Sequence, residues 1–204
     1  MSTPIILASA SPRRKILLNQ IGLQPIIHPA DIDETVSEEM NPESAATSLA
    51  EQKGEHIAGK YKDGLIISAD TIVVLDNQLL GKPVDKNEAT DFLNRLSDKT
   101  HRVITGVTIL HKKEGNTINK TSFFEETKVT FGKLSDLEIA SYIETGSPMD
   151  KAGGYGIQDD LGALFVRKIE GCYYNVVGFP IFHFYQTLKL HYTDLLKDTG
   201  LFTK

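Results

Sequence analysis

Ile5-Ile6-Leu7-Ala8-Ser9-Ala10-Ser11-Pro12-Arg13-Arg14 joins an apolar run directly to a helix start, the signature of an α/β chain. Residues 5–8 form a short apolar run that reads as a buried strand, and residues 15–21 read as a helix entered directly from it. Ser11 stands where an N-cap belongs and Pro12 where the first helical residue belongs. A hydroxyl there accepts from otherwise unpaired amides, and the fixed φ of proline already suits the helix. Gly22 suits the left-handed residue that ends a helix. The turn therefore gathers two serine hydroxyls and two guanidinium groups at the positive end of a helix dipole. That cluster fits a polyanion, because helix-end amides and arginine forks both donate to phosphate oxygens. A capped surface helix with two solvated arginines fits the same residues, and this stretch alone does not choose between them.

Outward from this unit, strand and helix signals alternate. Residues 24–28 read as a short strand and 29–39 as an acidic loop. Asn41 caps a helix reaching Gly59, with Ala46, Leu49, Ala50 and Ile57 as its apolar stripe and Lys53 at the edge. Residues 65–69 read as a buried strand, interrupted by Asp70-Thr71 and resumed at 72–75. Asp76-Asn77 makes a turn, Gly81-Lys82-Pro83 a loop, and 86–96 a helix. The β-branched segments 101–110 and 116–131 read as long paired antiparallel strands. Ser135-Asp136-Leu137-Glu138 has capping-box spacing and opens a helix ending near Gly146. A glycine-rich loop follows at 152–158. Residues 163–169 and 173–177 read as strands, and a helix runs from Gly178-Phe179-Pro180 to about residue 197. The expectation is one α/β domain over residues 1–204, built on a mixed sheet flanked by helices.

Composition narrows the classes. The 204 residues carry a net charge of −5, which argues against a broad basic field for nucleic-acid polymers or membranes. A local nucleotide site needs only a few cations and is not excluded. Cys172 is the single cysteine, so no internal disulfide forms and a reducing, cytoplasmic setting is expected. No apolar run approaches membrane-spanning length.

Asp70 is the most telling acid, because it interrupts an apolar run where an unpartnered carboxylate is costly. It is read as lying at the end of a buried strand, where α/β sheets present their working groups. Arg13, Arg14, Lys53, Lys82 and Lys151 are the candidate cations. With Asp70 and the helix-end serines they make a polyphosphate cradle, although singly each also reads as a surface charge. Phosphate-loop, dinucleotide, nucleophile-elbow and zinc spacings are missing, and the six histidines read as structural or surface residues. A metal here is then one that carboxylates and phosphates bind, magnesium or manganese.

Six segments in order resemble the Maf family of nucleoside triphosphate pyrophosphatases. They are Ser9-Ala10-Ser11-Pro12-Arg13-Arg14, Ser68-Ala69-Asp70-Thr71, Gly81-Lys82-Pro83, His101 to Val107, Asp150 to Gln158, and Tyr173 to Gly178. Thr71 directly after Asp70, and Asp150-Lys151-Ala152-Gly153 leading to Ile157-Gln158, are most similar to the branch acting on dTTP and UTP. The resemblance implies hydrolysis to the nucleoside monophosphate and pyrophosphate, with Asp70 as proton acceptor and a divalent metal, magnesium or manganese, as cofactor. It implies Arg13, Thr71 and Gln158 as the positions governing base choice. Ser9, Arg14, Lys53 and Lys82 are implied substrate contacts, and Glu34 with Asp70 metal contacts. The implied fold has a strongly curved mixed sheet and two lobes around a cleft, in a cytoplasmic homodimer. The chain departs from the pattern after Gln158, where Asp159-Asp160-Leu161 precedes Gly162 in place of an immediate glycine. Carboxylates there change the loop's shape or repel a phosphate that they face. The alternatives are a Maf-type enzyme for other or modified nucleotides, and a nucleotide-binding regulator of cell division.

Overall fold

The computed structural model describes residues 3–33, 35–37, 40–159 and 161–198. Its elements in order are β1 (Ile5–Leu7), α1 (Pro12–Gln20), β2 (Ile26–Ile27), α2 (Pro42–Ala58), β3 (Gly64–Leu75), β4 (Gln78–Leu80), α3 (Lys86–Leu96) and β5 (Thr100–Lys113). There follow β6 (Asn116–Phe131), α4 (Asp136–Glu144), α5 (Gly162–Phe165), β7 (Val166–Glu170), α6 (Tyr173–Val177), α7 (Ile181–His191) and α8 (Thr193–Asp198). Seven strands make one mixed sheet in the order β2-β1-β3-β5-β6-β7, with β4 on β3. β1 is parallel to both β2 and β3, whereas β4 and β7 pair antiparallel to β3 and β6. The mixed α/β class is therefore the one the sequence signals. No helix among the described residues is long and apolar enough to cross a membrane.

The chain divides into two compact units, Met1–Asp70 with Thr105–Glu125 and Gly178–Lys204, and Thr71–Ile104 with Glu126–Val177. In the first, Ile6, Ala8, Ile57, Ala58, Ile66 and Leu110 form a buried cluster that Ala30 and Tyr61 cover. Helix α2 lies at backbone distance from two strands of this unit. A Cβ on Gly106 would sit 2.3 Å from the Ala46 carbonyl oxygen, and one on Gly54 would sit 2.6 Å from Ser68 Oγ. Glycine at both positions is what lets the helix approach so closely. Asn41 caps α2 as read, its side chain accepting from Ser44 N at 2.8 Å.

In the second unit Phe131 meets Tyr155 edge-on at 4.7 Å and Phe165 at 6.0 Å, and Tyr142 meets Phe165 at 5.2 Å. The Ser135–Glu138 capping box forms as its spacing dictates. His101 is buried here, 2.7 Å from the Tyr155 hydroxyl, with no hydrogen-bond partner on Nδ1. Burial pushes its pKa from the ordinary 6.5 down to about 3. Between those values the unfolded chain takes up a proton that the folded one refuses, so stability falls as pH drops from 6.5. The slope is at most about 1.4 kcal/mol per pH unit. Urea midpoints measured from pH 7 to pH 4 should show a shallower acid limb in His101→Gln, and an unchanged limb would contradict the assignment.

Several sequence readings need correction. Asp70 does not end a strand, because β3 runs unbroken through Asp70-Thr71. Strand β4 follows the Asp76-Asn77 turn, whose two positive φ angles (49° and 63°) suit a tight hairpin. Residues 173–177 form helix α6, not a strand, and 162–165 form a short helix before β7. The reason for α6 is tertiary: the buried Asn175 amide donates to the Val103 carbonyl and to Thr127 Oγ1, both at 3.0 Å. The C-terminal helix breaks at Tyr192, where φ is −136° and the phenol donates to the Ile109 carbonyl at 2.9 Å.

Candidate active site

Strand alternation places Ser68 and Asp70 on one face of β3, with the buried Ala69 between them on the other. That face meets α2. Ser68 Oγ donates to the Ala50 carbonyl at 2.6 Å, and Gly54 leaves room for the contact. One residue before Gly54, Lys53 Nζ reaches Asp70 Oδ1 at 2.6 Å. Both side chains are largely enclosed, at 12% and 14% exposure. An ion pair this sheltered holds both groups in one geometry, and it satisfies a carboxylate that would otherwise be costly inside an apolar strand. One carboxylate oxygen is committed to Lys53. The other is the one with which Asp70 can accept a proton.

Ser9 and Arg14 form a second cluster in the same unit. Arg14 Nη1 donates to Ser9 Oγ at 2.9 Å and Nε to the Gly178 carbonyl at 3.0 Å. The Ser11 amide also donates to Ser9 Oγ, at 3.2 Å. Ser9 Oγ thus accepts twice, which leaves its own proton as the group it can donate. Pro12 occupies the first turn of α1 as read, and Gly22 is left-handed (φ 88°). Ser11, though at the N-cap, makes no side-chain cap. Arg13 is half-buried on α1.

In the second unit, Thr71 is half-buried in β3, while Lys82 and Gln158 are exposed. The loop carrying Lys82 is fastened to the glycine-rich segment, since Gly153 N donates to the Gly81 carbonyl at 2.9 Å. Lys151 is spent within its own loop, on the Ser147 carbonyl (2.6 Å), Asp150 (2.7 Å) and Asp159 (3.2 Å). Of the candidate cations, it is the one held inside the glycine-rich loop region. Sequence reasoning missed the convergence of Tyr142 and Ser147 on Asp159; the only signal for it was the irregular spacing after Gln158. Glu34 and Asp160 lie outside the described residues.

Among the described residues, no three His, Cys, Asp or Glu side chains come together in a way that would hold a metal. Asp70 supplies one carboxylate. Magnesium is often held by one or two carboxylates together with substrate phosphates, so this donor set fits an ion that arrives on a polyphosphate.

The first unit thus carries a paired acid on a buried strand and a serine–arginine cluster at a helix start, within a mixed α/β fold. Comparison with known proteins gives the chain's family. The family model described as Maf-like protein matches residues 4–191, so the chain belongs to that family. It is 43% identical to a dTTP/UTP pyrophosphatase of Salinibacter ruber, over 98% of this chain and 97% of that one. It is 48% identical to one of Carboxydothermus hydrogenoformans, over 91% and 97%. Among solved structures, a HAM1 protein from Coxiella burnetii is similar at 16% identity and a TM-score of 0.47, over 65% of this chain and 74% of that one.

Proposed function

We propose that this chain is a nucleoside triphosphate pyrophosphatase that hydrolyses dTTP and UTP to the nucleoside monophosphate and pyrophosphate. The relatives bearing that activity in their names support the substrate class. The observation that carries the chemistry is the sheltered Lys53–Asp70 pair. The uncommitted oxygen of Asp70 accepts a proton from water as the water oxygen bonds to the α-phosphorus. The bond from that phosphorus to the bridging oxygen breaks, and pyrophosphate leaves. Lys53 keeps the acid in position. Ser9, Arg14 and Lys82 donate to phosphate oxygens and offset their charge. Asp70 and the phosphates would hold a magnesium or manganese ion, which would supply further charge neutralisation on the leaving group. Arg13, Thr71 and Gln158 select the base. The same proposal covers a single Maf-like domain over residues 1–204 and a cytoplasmic homodimer.

Pyrophosphate release from the common nucleoside triphosphates, with magnesium or manganese, is the test. UTP and dTTP should lead, and a protein that binds nucleotides without turnover would be a regulator instead. In the same panel Gln158→Ala is expected to erode the UTP:CTP ratio of kcat/KM by about ten-fold, the size of one net hydrogen bond. An unchanged ratio would remove Gln158 from base selection.

A further inference from the structure

The carboxylate of Asp159 has two separate tasks. Its Oδ2 is tied into the fold: Tyr142 Oη donates to it at 2.9 Å, Ser147 Oγ donates as well, and Lys151 Nζ lies 3.2 Å away. Burial pushes the Asp159 carboxyl up, but the Ser147 and Tyr142 hydroxyls and the Lys151 ammonium outweigh it and hold the pKa below the ordinary value. An ionised carboxylate only accepts hydrogen bonds. Its other oxygen, Oδ1, accepts from Gln158 Nε2 at 2.8 Å.

A primary amide donates at one end and accepts at the other, and turning it over exchanges the two at almost no cost in volume. Beside a fixed carboxylate only one orientation survives, because the other sets two oxygens against each other. Gln158 is exposed, so its amide would otherwise be able to turn. Asp159 removes that freedom and directs Oε1 away from the carboxylate, as an acceptor.

We propose that Asp159 is a positioning residue that locks the Gln158 amide as a hydrogen-bond acceptor and thereby favours a pyrimidine with a ring N–H, uracil or thymine, over cytosine. This rests on the reading of Gln158 as a base-selecting residue. Uracil and thymine carry a donor at N3, which Oε1 accepts. Cytosine carries a lone pair there, which Oε1 repels, and an amide able to turn over would accommodate it. The departure from family spacing after Gln158 thus sharpens base choice, and its described carboxylate is turned inward onto Tyr142 and Ser147 instead of facing a phosphate.

The test compares Asp159→Asn with Tyr142→Phe, scoring kcat/KM for UTP and CTP and the Tm of each. Tyr142→Phe frees Oδ2 and takes away the acceptor of the Gly156 amide, 3.0 Å from Tyr142 Oη, but leaves the Oδ1–Gln158 bond in place, so it should lower Tm and leave the UTP:CTP ratio within about two-fold. Asp159→Asn retains the size but offers an amide that either donates or accepts, so Gln158 can turn. The ratio should fall about ten-fold, and the fall should vanish in a Gln158→Ala background. If Gln158→Ala changes the ratio and Asp159→Asn does not, the positioning role is wrong and the proposed function stands. If Gln158→Ala changes nothing, the base-selecting role of Gln158 falls and this inference with it. Absence of turnover with every nucleotide overturns the proposed function itself. The unaltered protein gives a reading that needs no Asp159 variant to fold. The Gln158 side-chain NH₂ pair, assigned by its loss in Gln158→Ala, should show one proton shifted downfield in NMR by its hydrogen bond to the Asp159 carboxylate, and a pair at the shifts of a free glutamine amide would contradict the lock.

Discussion

Replacing Asp70 with asparagine should lower kcat for pyrophosphate release from UTP by about 10²- to 10⁴-fold, the usual contribution of a positioned general base. The substitution is nearly isosteric, and its carbonyl oxygen still accepts from Lys53 Nζ, which lies 2.6 Å from Asp70 Oδ1. What is lost is the second oxygen's capacity to take a proton. Binding of UTP should therefore stay within a few-fold of the unaltered protein, whereas the melting temperature should fall, because the enclosed Lys53 ammonium keeps its charge and loses the counter-charge of Asp70. A loss confined to kcat marks an interaction used in the transition state, whereas a rise in KM alone would mark ordinary substrate binding. Turnover within a few-fold of the unaltered protein would remove Asp70 from the chemistry.

Gly106→Ala is the substitution with the largest expected effect on stability. A Cβ there meets the Ala46 carbonyl oxygen at 2.3 Å, the Ala46 carbonyl carbon at 2.4 Å and the Thr47 amide nitrogen at 2.6 Å. All three are backbone atoms of α2, so no side chain can turn aside and the helix itself must retreat. Overpacking of this kind costs about 3 kcal/mol or more, which for a chain of this size lowers Tm by roughly 6–12 °C. Because α2 also carries Lys53, the displacement should loosen the Lys53–Asp70 pair and reduce turnover alongside stability. Gly81→Ala is the contrast. A Cβ there meets nothing within 4 Å, so thermal unfolding should shift by no more than an ordinary surface substitution. A Gly106→Ala protein as stable as Gly81→Ala would mean that α2 does not approach β5 as described.

The local signals in the sequence were the ones most faithfully realised. Pro12, Asn41 and the Ser135–Glu138 box act within a single turn, so their spacing alone announces where α1, α2 and α4 begin. The Lys53–Asp70 pair was legible only as two separate hints, a carboxylate inside an apolar run and a lysine at the edge of a helical stripe. Their meeting depends on Gly54 and Ser68, which no periodicity marks. The five residues of α6 read as a strand because Tyr, Val and Val favour one, and the bonds that decide otherwise reach Val103 and Thr127, far away in sequence. Lys151 and Asp159 illustrate the same limit for the site. Sequence shows a cation and an acid near a glycine-rich loop, but only the folded loop shows that they meet each other and Ser147. The hydrogen bond from Gln158 to Asp159 was out of reach for that reason.

Cleavage between the α and β phosphates, with Asp70 taking the proton, fixes which two products must appear. Chromatographic separation of the products formed from UTP, with magnesium present, tests it most directly. The unaltered protein should give UMP and pyrophosphate in equal amounts, and Asp70→Asn almost none of either at the same concentration. UDP with orthophosphate as the products, or UMP formed equally fast by Asp70→Asn, would contradict it.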